Sequence, residues 1–235
     1  MLAIVLARHN FREADQIISL YTEKQGKIEC LARGVKKIIS KNSSFLEPGS
    51  LVEADIVAGK EINHLTKVQP VNLFTALHSN LDKLLIAGYG LFVADKLLKI
   101  SQSDKRIFWL LKNWLEYLSE SDNPTANLAY SFIAKLSFLL GVSPKLDACV
   151  HCDRDEVSGF YYSGGGVVCS ACVVRVRERG VDLDVCTKPE MLGLVALWSG
   201  NWSDAEAVKY QKTLKITHKF ISYHHEQKFA YFKGI

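Results

Sequence analysis

Four cysteines stand in two pairs: Cys149-Val-His-Cys152 and, sixteen residues later, Cys169-Ser-Ala-Cys172. A C-x2-C turn reverses the chain tightly enough for two thiolates to face one ion, and two such turns complete a tetrahedron of sulfurs. Four thiolates leave no coordination position for water or substrate. An ion held this way is structural, and one zinc ion is the expected occupant. An iron–sulfur cluster accepts the same four cysteines. Two disulfides would fit a secreted chain, and a redox C-x-x-C needs a thioredoxin-like βαβ setting that the flanks do not show. His151, inside the first pair, is a further potential ligand, but with four cysteines at hand it reads as a surface side chain. Gly164-Gly165-Gly166 belongs to no phosphate-loop pattern and reads as the turn of a zinc-ribbon hairpin between Phe160–Tyr162 and Val167-Val168. Cys30 and Cys186 stand alone and read as ordinary buried residues.

The second chemistry-bearing feature is charge. Between Lys24 and Lys41 lie Lys24, Lys27, Arg33, Lys36, Lys37 and Lys41, with Glu29 the sole acid; Arg8 and Arg12 lie just upstream. Such a cluster suits phosphate backbones, whose neutralisation supplies sequence-independent, salt-dependent affinity. A solvated face of mixed charge is the competing reading. Phe11, Tyr21 and Phe45 are the local aromatics, each either core or a stacking platform for bases. A second basic stretch runs from Lys209 to the end. There Lys212, Lys215 and Lys219 share one helical face and could hold an acidic peptide. No nucleophile–base pair and no nucleotide motif accompanies these residues, so no enzymatic activity is expected.

The elements that must position them divide in two. Short apolar runs at Leu2–Arg8, Gln16–Tyr21, Lys27–Ala32, Leu51–Val57 and His64–Val68, separated by turns at Gln25-Gly26, Pro48-Gly49 and Gly59-Lys60, predict five strands of a small barrel. An OB-fold is the expected type, over residues 1–73, with a sandwich or an open meander as the competing reading. From Leu73 the apolar period becomes helical. Helices are expected through Leu77–Leu98, Asp104–Leu118, Thr125–Leu140 and Pro189–Trp198, with a fifth capped by Ser203-Asp204 and running toward His224. The predicted class is therefore α+β: an OB-fold barrel, then an α-helical domain over 74–235 carrying a zinc ribbon at about 146–175.

The 235 residues are 48% apolar with a formal net charge of +4, so bulk charge does not identify a nucleic-acid binder. No secretory signal precedes Arg8, and no apolar run reaches spanning length, so a cytoplasmic protein without membrane attachment is expected.

Several stretches together resemble one family, the recombination-mediator proteins RecO. Glu13-Ala14-Asp15 with Ile17, Ile18, Leu20 and Thr22, then Gly26-Lys27, is similar to that family's N-terminal hairpin. Ala32-Arg33-Gly34-Val35-Lys36-Lys37 resembles its basic loop, and Leu46-Glu47-Pro48 before Leu51–Asp55 its next strand entry. Leu139-Leu140-Gly141, Pro144, Leu146-Asp147 and Cys149 resemble the lead-in to its zinc site, and Gly164 to Cys172 the second knuckle. The resemblance implies binding of single- and double-stranded DNA, annealing of complementary strands, and recombinational repair in the bacterial cytoplasm, at the nucleoid when on DNA. It further implies action with RecR and with the acidic C-terminal tail of the single-stranded-DNA-binding protein (SSB), and indirect help to RecA loading. Annealing requires positive charge that offsets repulsion between two backbones, and no nucleophile. Arg33, Lys36, Lys37 and Lys41 are the first candidates for that role. Lys24, Lys27, Arg8 and Arg12 support them, and Lys212, Lys215 and Lys219 are candidates for the acidic tail. The rival reading is a zinc-ribbon adaptor acting through protein–protein contacts.

Overall fold

Alternation between apolar and polar residues buries one face of a strand, and five such strands can close on themselves only as a barrel. The computed structural model describes residues 1–37 and 43–234. β1 (Leu2–Asn10), β2 (Gln16–Thr22), β3 (Gly26–Ala32), β4 (Leu51–Val57) and β5 (Asn63–Asn72) form a closed barrel in the order β1-β2-β3-β5-β4. All neighbours are antiparallel except β3 and β5, which pair in parallel through Cys30 with Asn63 and Leu31 with His64. This is an OB-like barrel, as expected. Ala3, Val5, Ile18, Leu20, Cys30, Ala32, Val52, Ala54 and Val68 fill its interior.

The barrel belongs to a compact unit that runs from Met1 to Pro124. The strand-to-helix change falls near residue 73; the unit continues through α1 (Thr75–Ser79), α2 (Leu81–Leu97) and α3 (Lys105–Glu120). The Asn80 and Asp104 side chains cap α2 and α3, accepting N–H groups of Lys83 at 3.0 Å and Arg106 at 2.8 Å. α2 lies over the barrel so that outward residues of β2 and β3 are buried as well. Asp95 of α2 accepts Ser19 Oγ–H at 2.5 Å and pairs with the Lys27 ammonium at 2.9 Å. Tyr21 Oη bonds the Asp104 carbonyl at 3.2 Å. Lys27 and Asp95 side chains are each only 8% exposed, so each charge depends on the other.

The second unit, Thr125–Lys233, is built round α4 (Ala126–Leu139), which is buried on nearly every side. α6 (Lys188–Ser199), α7 (Trp202–Glu206) and α8 (Gln211–His224) surround it. Thr187 and Glu190 form a capping box that starts α6, with Pro189 in the first turn. The single fifth helix expected from Ser203 to His224 is instead two. α7 is capped by Asn201, the chain leaves the helix after Glu206, and α8 begins at Gln211. The freed carbonyls of Glu206 and Val208 accept the buried Asn127 amide at 3.3 and 2.8 Å, which compensates the break. Between α4 and α6 lies the ribbon. β6 (Gly159–Tyr161) and β7 (Gly166–Val168) form its hairpin, α5 (Ser170–Glu178) follows, and β8 (Leu183–Val185) adds a third strand beside β6. β8 carries no sequence signal, because Leu-Asp-Val is too short to show a period. Among the described residues no helix is long and apolar enough to cross a membrane.

Removing Asp95 would leave an ammonium buried without its counter-charge. Asp95→Ala is expected to destabilise the first unit by about 3–5 kcal/mol in urea unfolding. Lys27→Met with Asp95→Leu should recover most of that loss. A double variant as unstable as the single one would show that the pair is not coupled.

Candidate metal centre and nucleic-acid interface

The first cysteine pair sits on a turn fixed by backbone bonds. Asp153 N–H donates to the Cys149 carbonyl at 3.0 Å, and Cys149 N–H to that of Arg154 at 3.0 Å. A further bond, Val150 N–H to the Val167 carbonyl at 2.9 Å, pins this turn to β7. The second pair is placed by a helix start: Cys169 is the N-cap of α5 and Cys172 lies in its first turn. The two pairs meet so that all four sulfurs lie within 4.8 Å of one another. Cys152 Sγ is 3.6 Å from Cys169 Sγ and 3.7 Å from Cys172 Sγ. A tetrahedral zinc site with bonds of about 2.3 Å has sulfurs about 3.8 Å apart, so the spacing is compatible with zinc. None of the six cysteines is disulfide-bonded in this structure.

Cys149, Cys169 and Cys172 are buried, and Cys152 reaches the surface. Burial opposes ionisation of Cys149, but N–H groups of Cys169, His151 and Cys152 directed at its sulfur outweigh it and hold the thiol at about 6. Burial, together with hydrogen bonds to the neighbouring sulfurs, pushes Cys172 up to about 12. The exposed His151 ring stacks on Tyr161 at 5.7 Å and stays outside the cysteine group, as expected of a surface side chain.

At the barrel, the register decides which cations meet. Gln16 pairs with Asn10 and with Ala32, so the β1–β2 turn and the segment leaving β3 share one end. The segment is tied down there. Val35 is buried in the barrel core, Gly34 N–H donates to Asp15 Oδ1 at 2.8 Å, and Lys36 N–H donates to the Ala14 carbonyl at 3.1 Å. Gly34 has φ of 66°, a left-handed conformation that suits glycine. In the β1–β2 turn, Phe11 and Arg12 N–H groups both donate to the Asp15 carbonyl. Arg12, Arg33, Lys36 and Lys37 are therefore exposed at one end of the barrel, and none of them has an ion pair among the described residues. Phe11 is 48% exposed beneath the Arg12 guanidinium, 5.0 Å from its ring centre, whereas Tyr21 is buried and Phe45 packs on the core.

Three other candidates lie elsewhere. Lys27 corrects the expectation: its ammonium is buried against Asp95 and is not presented to a ligand. Arg8 is bound internally, to Gln16 Oε1 at 3.0 Å and to Glu47, so much of its charge is already offset. Lys24 is exposed, but pairing of Thr22 with Gly26 puts it at the opposite end of the barrel. Lys41 lies outside the described residues. On α8, Lys212 pairs with Glu190 at 3.7 Å, and Lys219 pairs with Asp182 at 2.5 Å over the Tyr162 ring. Lys215 is exposed. Asp15 and Asp95 organise these groups; the sequence marks Asp15 only as part of the Glu13-Ala14-Asp15 hairpin and gives no sign of either role.

Comparison with known proteins agrees with both units. The model described as "Recombination protein O N terminal" matches residues 1–74, and "Recombination protein O C terminal" matches 78–230. The DNA repair protein RecO of Rubrobacter xylanophilus is 31% identical over 172 residues, covering 72% of this chain and 69% of that one. Its namesake from Symbiobacterium thermophilum is 32% identical over 174 residues, with 72% and 69% covered. That of Nocardioides sp. is 26% identical over 235 residues, with 96% and 93% covered.

The anchoring of the basic loop is open to test by amide hydrogen exchange. Asp15→Ala should speed exchange at Gly34 and Lys36 while β2 and β3 keep their protection. Unchanged rates at those two amides would show that Asp15 does not hold the loop.

Proposed function

The chain belongs to the RecO family, and from that membership we propose that it binds single- and double-stranded DNA and anneals complementary strands during recombinational repair. The observation that carries the reading is the grouping, at one end of an OB-like barrel, of Arg12 in the β1–β2 turn with Arg33, Lys36 and Lys37 on an anchored loop, all exposed and without an ion pair among the described residues. Two phosphate backbones approach one another only when cations lie between or beside them. An anchored loop supplies those cations without the ordering entropy that a free loop would lose on binding. Phe11, next to Arg12, offers one face for a base. No step in annealing needs a nucleophile or nucleotide, and we assign the chain no catalytic activity.

Cys149, Cys152, Cys169 and Cys172 would hold one zinc ion. Its contribution is to tie the Cys149–Cys152 turn to the start of α5, so the ion supports shape and takes part in no reaction. RecR, the acidic SSB tail and, indirectly, RecA are the partners of this reading, in the cytoplasm and at the nucleoid. We place the acidic tail at Lys215, where its carboxylates would compete with Glu190, Asp182 and Asp184 for Lys212 and Lys219.

Binding of a fluorescent single-stranded oligonucleotide should weaken steeply with salt, log affinity falling by about 0.7 per phosphate neutralised for each unit of log salt. Arg33→Glu with Lys36→Glu should reduce that slope by about 1–2 and slow annealing measured without ATP. An unchanged slope would remove these residues from the interface and favour an adaptor that meets only proteins. Elemental analysis of reduced protein should find one zinc per chain, lost in Cys149→Ser; metal-free wild type would refute the centre.

A further inference from the structure

An exposed tryptophan on a charged helix invites a question about its role. Trp109 of α3 is 44% exposed, with the Lys112 ammonium 5.4 Å from its ring centre. Lys105 stands one helical turn before it, on the same face. The segment joining α2 to α3 runs against the β2–β3 turn. Ser101 N–H donates to the Lys27 carbonyl at 3.0 Å, and Ile100 bridges to Lys27. The approach is close: a Cβ on Gly26 would fall 2.0 Å from the Gln102 carbonyl oxygen. Lys24, Lys99 and Lys105 each lie two or three positions from that contact. All three are exposed, and none has an ion pair among the described residues. Of the neighbouring acids, Asp104 is occupied by Arg106 at 2.6 Å, Glu116 by Lys112 at 2.5 Å, and Asp95 is buried against Lys27; Glu23 adjoins Lys24.

We propose that Lys24, Lys99, Lys105 and Trp109 form a second seat for single-stranded nucleic acid, at the barrel end opposite Arg33, Lys36 and Lys37. The inference rests on the DNA-binding reading above and extends it. Lysines offset the phosphates, and the exposed indole offers a face on which a base stacks, the combination that sequence-tolerant single-strand binding uses. The two ends are separated by the seven-residue strands β2 and β3, about 20 Å. The β2–β3 face between them is closed by Asp95 and its partners, so a strand cannot simply run along it from one end to the other. One chain would thus hold two strands at separate seats, and annealing would need no second copy.

Short oligothymidylate of about 10 nucleotides tests this, since that length fills one seat. Titration should give two molecules per chain for the wild type. Lys24→Glu with Lys105→Glu should give one, as should Arg33→Glu with Lys36→Glu. Quenching of tryptophan emission by the oligonucleotide should persist in the Arg33/Lys36 variant and vanish in Trp109→Phe. A wild-type stoichiometry of one, or loss of all binding and quenching in the Arg33/Lys36 variant, would overturn the second seat and leave the first standing. Absence of any binding by the wild type would overturn both.

Discussion

The arrangement of the first unit depends on one buried ion pair. Lys27 and Asp95 face each other at 2.9 Å, with Ser19 bound to the same carboxylate and both side chains almost wholly withdrawn from water. Neither charge is tolerable there alone. Their pairing holds α2 on the outer side of β2 and β3, a face that OB-folds commonly give to oligonucleotides. With that face filled, exposed positive charge is left at the barrel's ends. Which cations face water is therefore a consequence of packing as much as of composition.

The second unit has a comparable constraint in its four cysteines. Nothing in the short strands β6, β7 and β8 could fold alone; three residues each bury too little surface. The sulfurs join the first turn to the N-terminus of α5, and Val168, Cys169 and Val173 pack with them into a small apolar cluster. A metal there would substitute for the core that so small a motif cannot build. The rest of the unit takes its stability from α4, whose buried polar side chains find carbonyl partners: Ser131 on Leu197, Asn127 on Val208.

Much of this was legible beforehand. All five barrel strands lie where apolar runs and turn residues put them, β5 extending four residues past its expected end, and the cysteine spacing foretold the sulfur cluster. The helix expected to open at Pro189 begins one residue before it, at Lys188. What escaped was set by contacts distant in sequence. β8 is a strand because β6 gives it a partner. The break between α7 and α8 is compensated by Asn127, far upstream, and no local residue announced it.

Residue type and spacing alone determined that this chain carries a strand-built half, a helix-built half, a set of four thiols and a run of cations. Periodicity and ligand spacing are local properties, and the linear chain records them fully. Whether a given cation faces water was decided only in three dimensions. Lys27 and Lys36 read alike in the sequence; yet Lys27 meets Asp95, 68 residues away, and is buried, while Lys36 stands exposed on an anchored loop. The free energy of a charge depends on its surroundings, and those surroundings come from the whole fold.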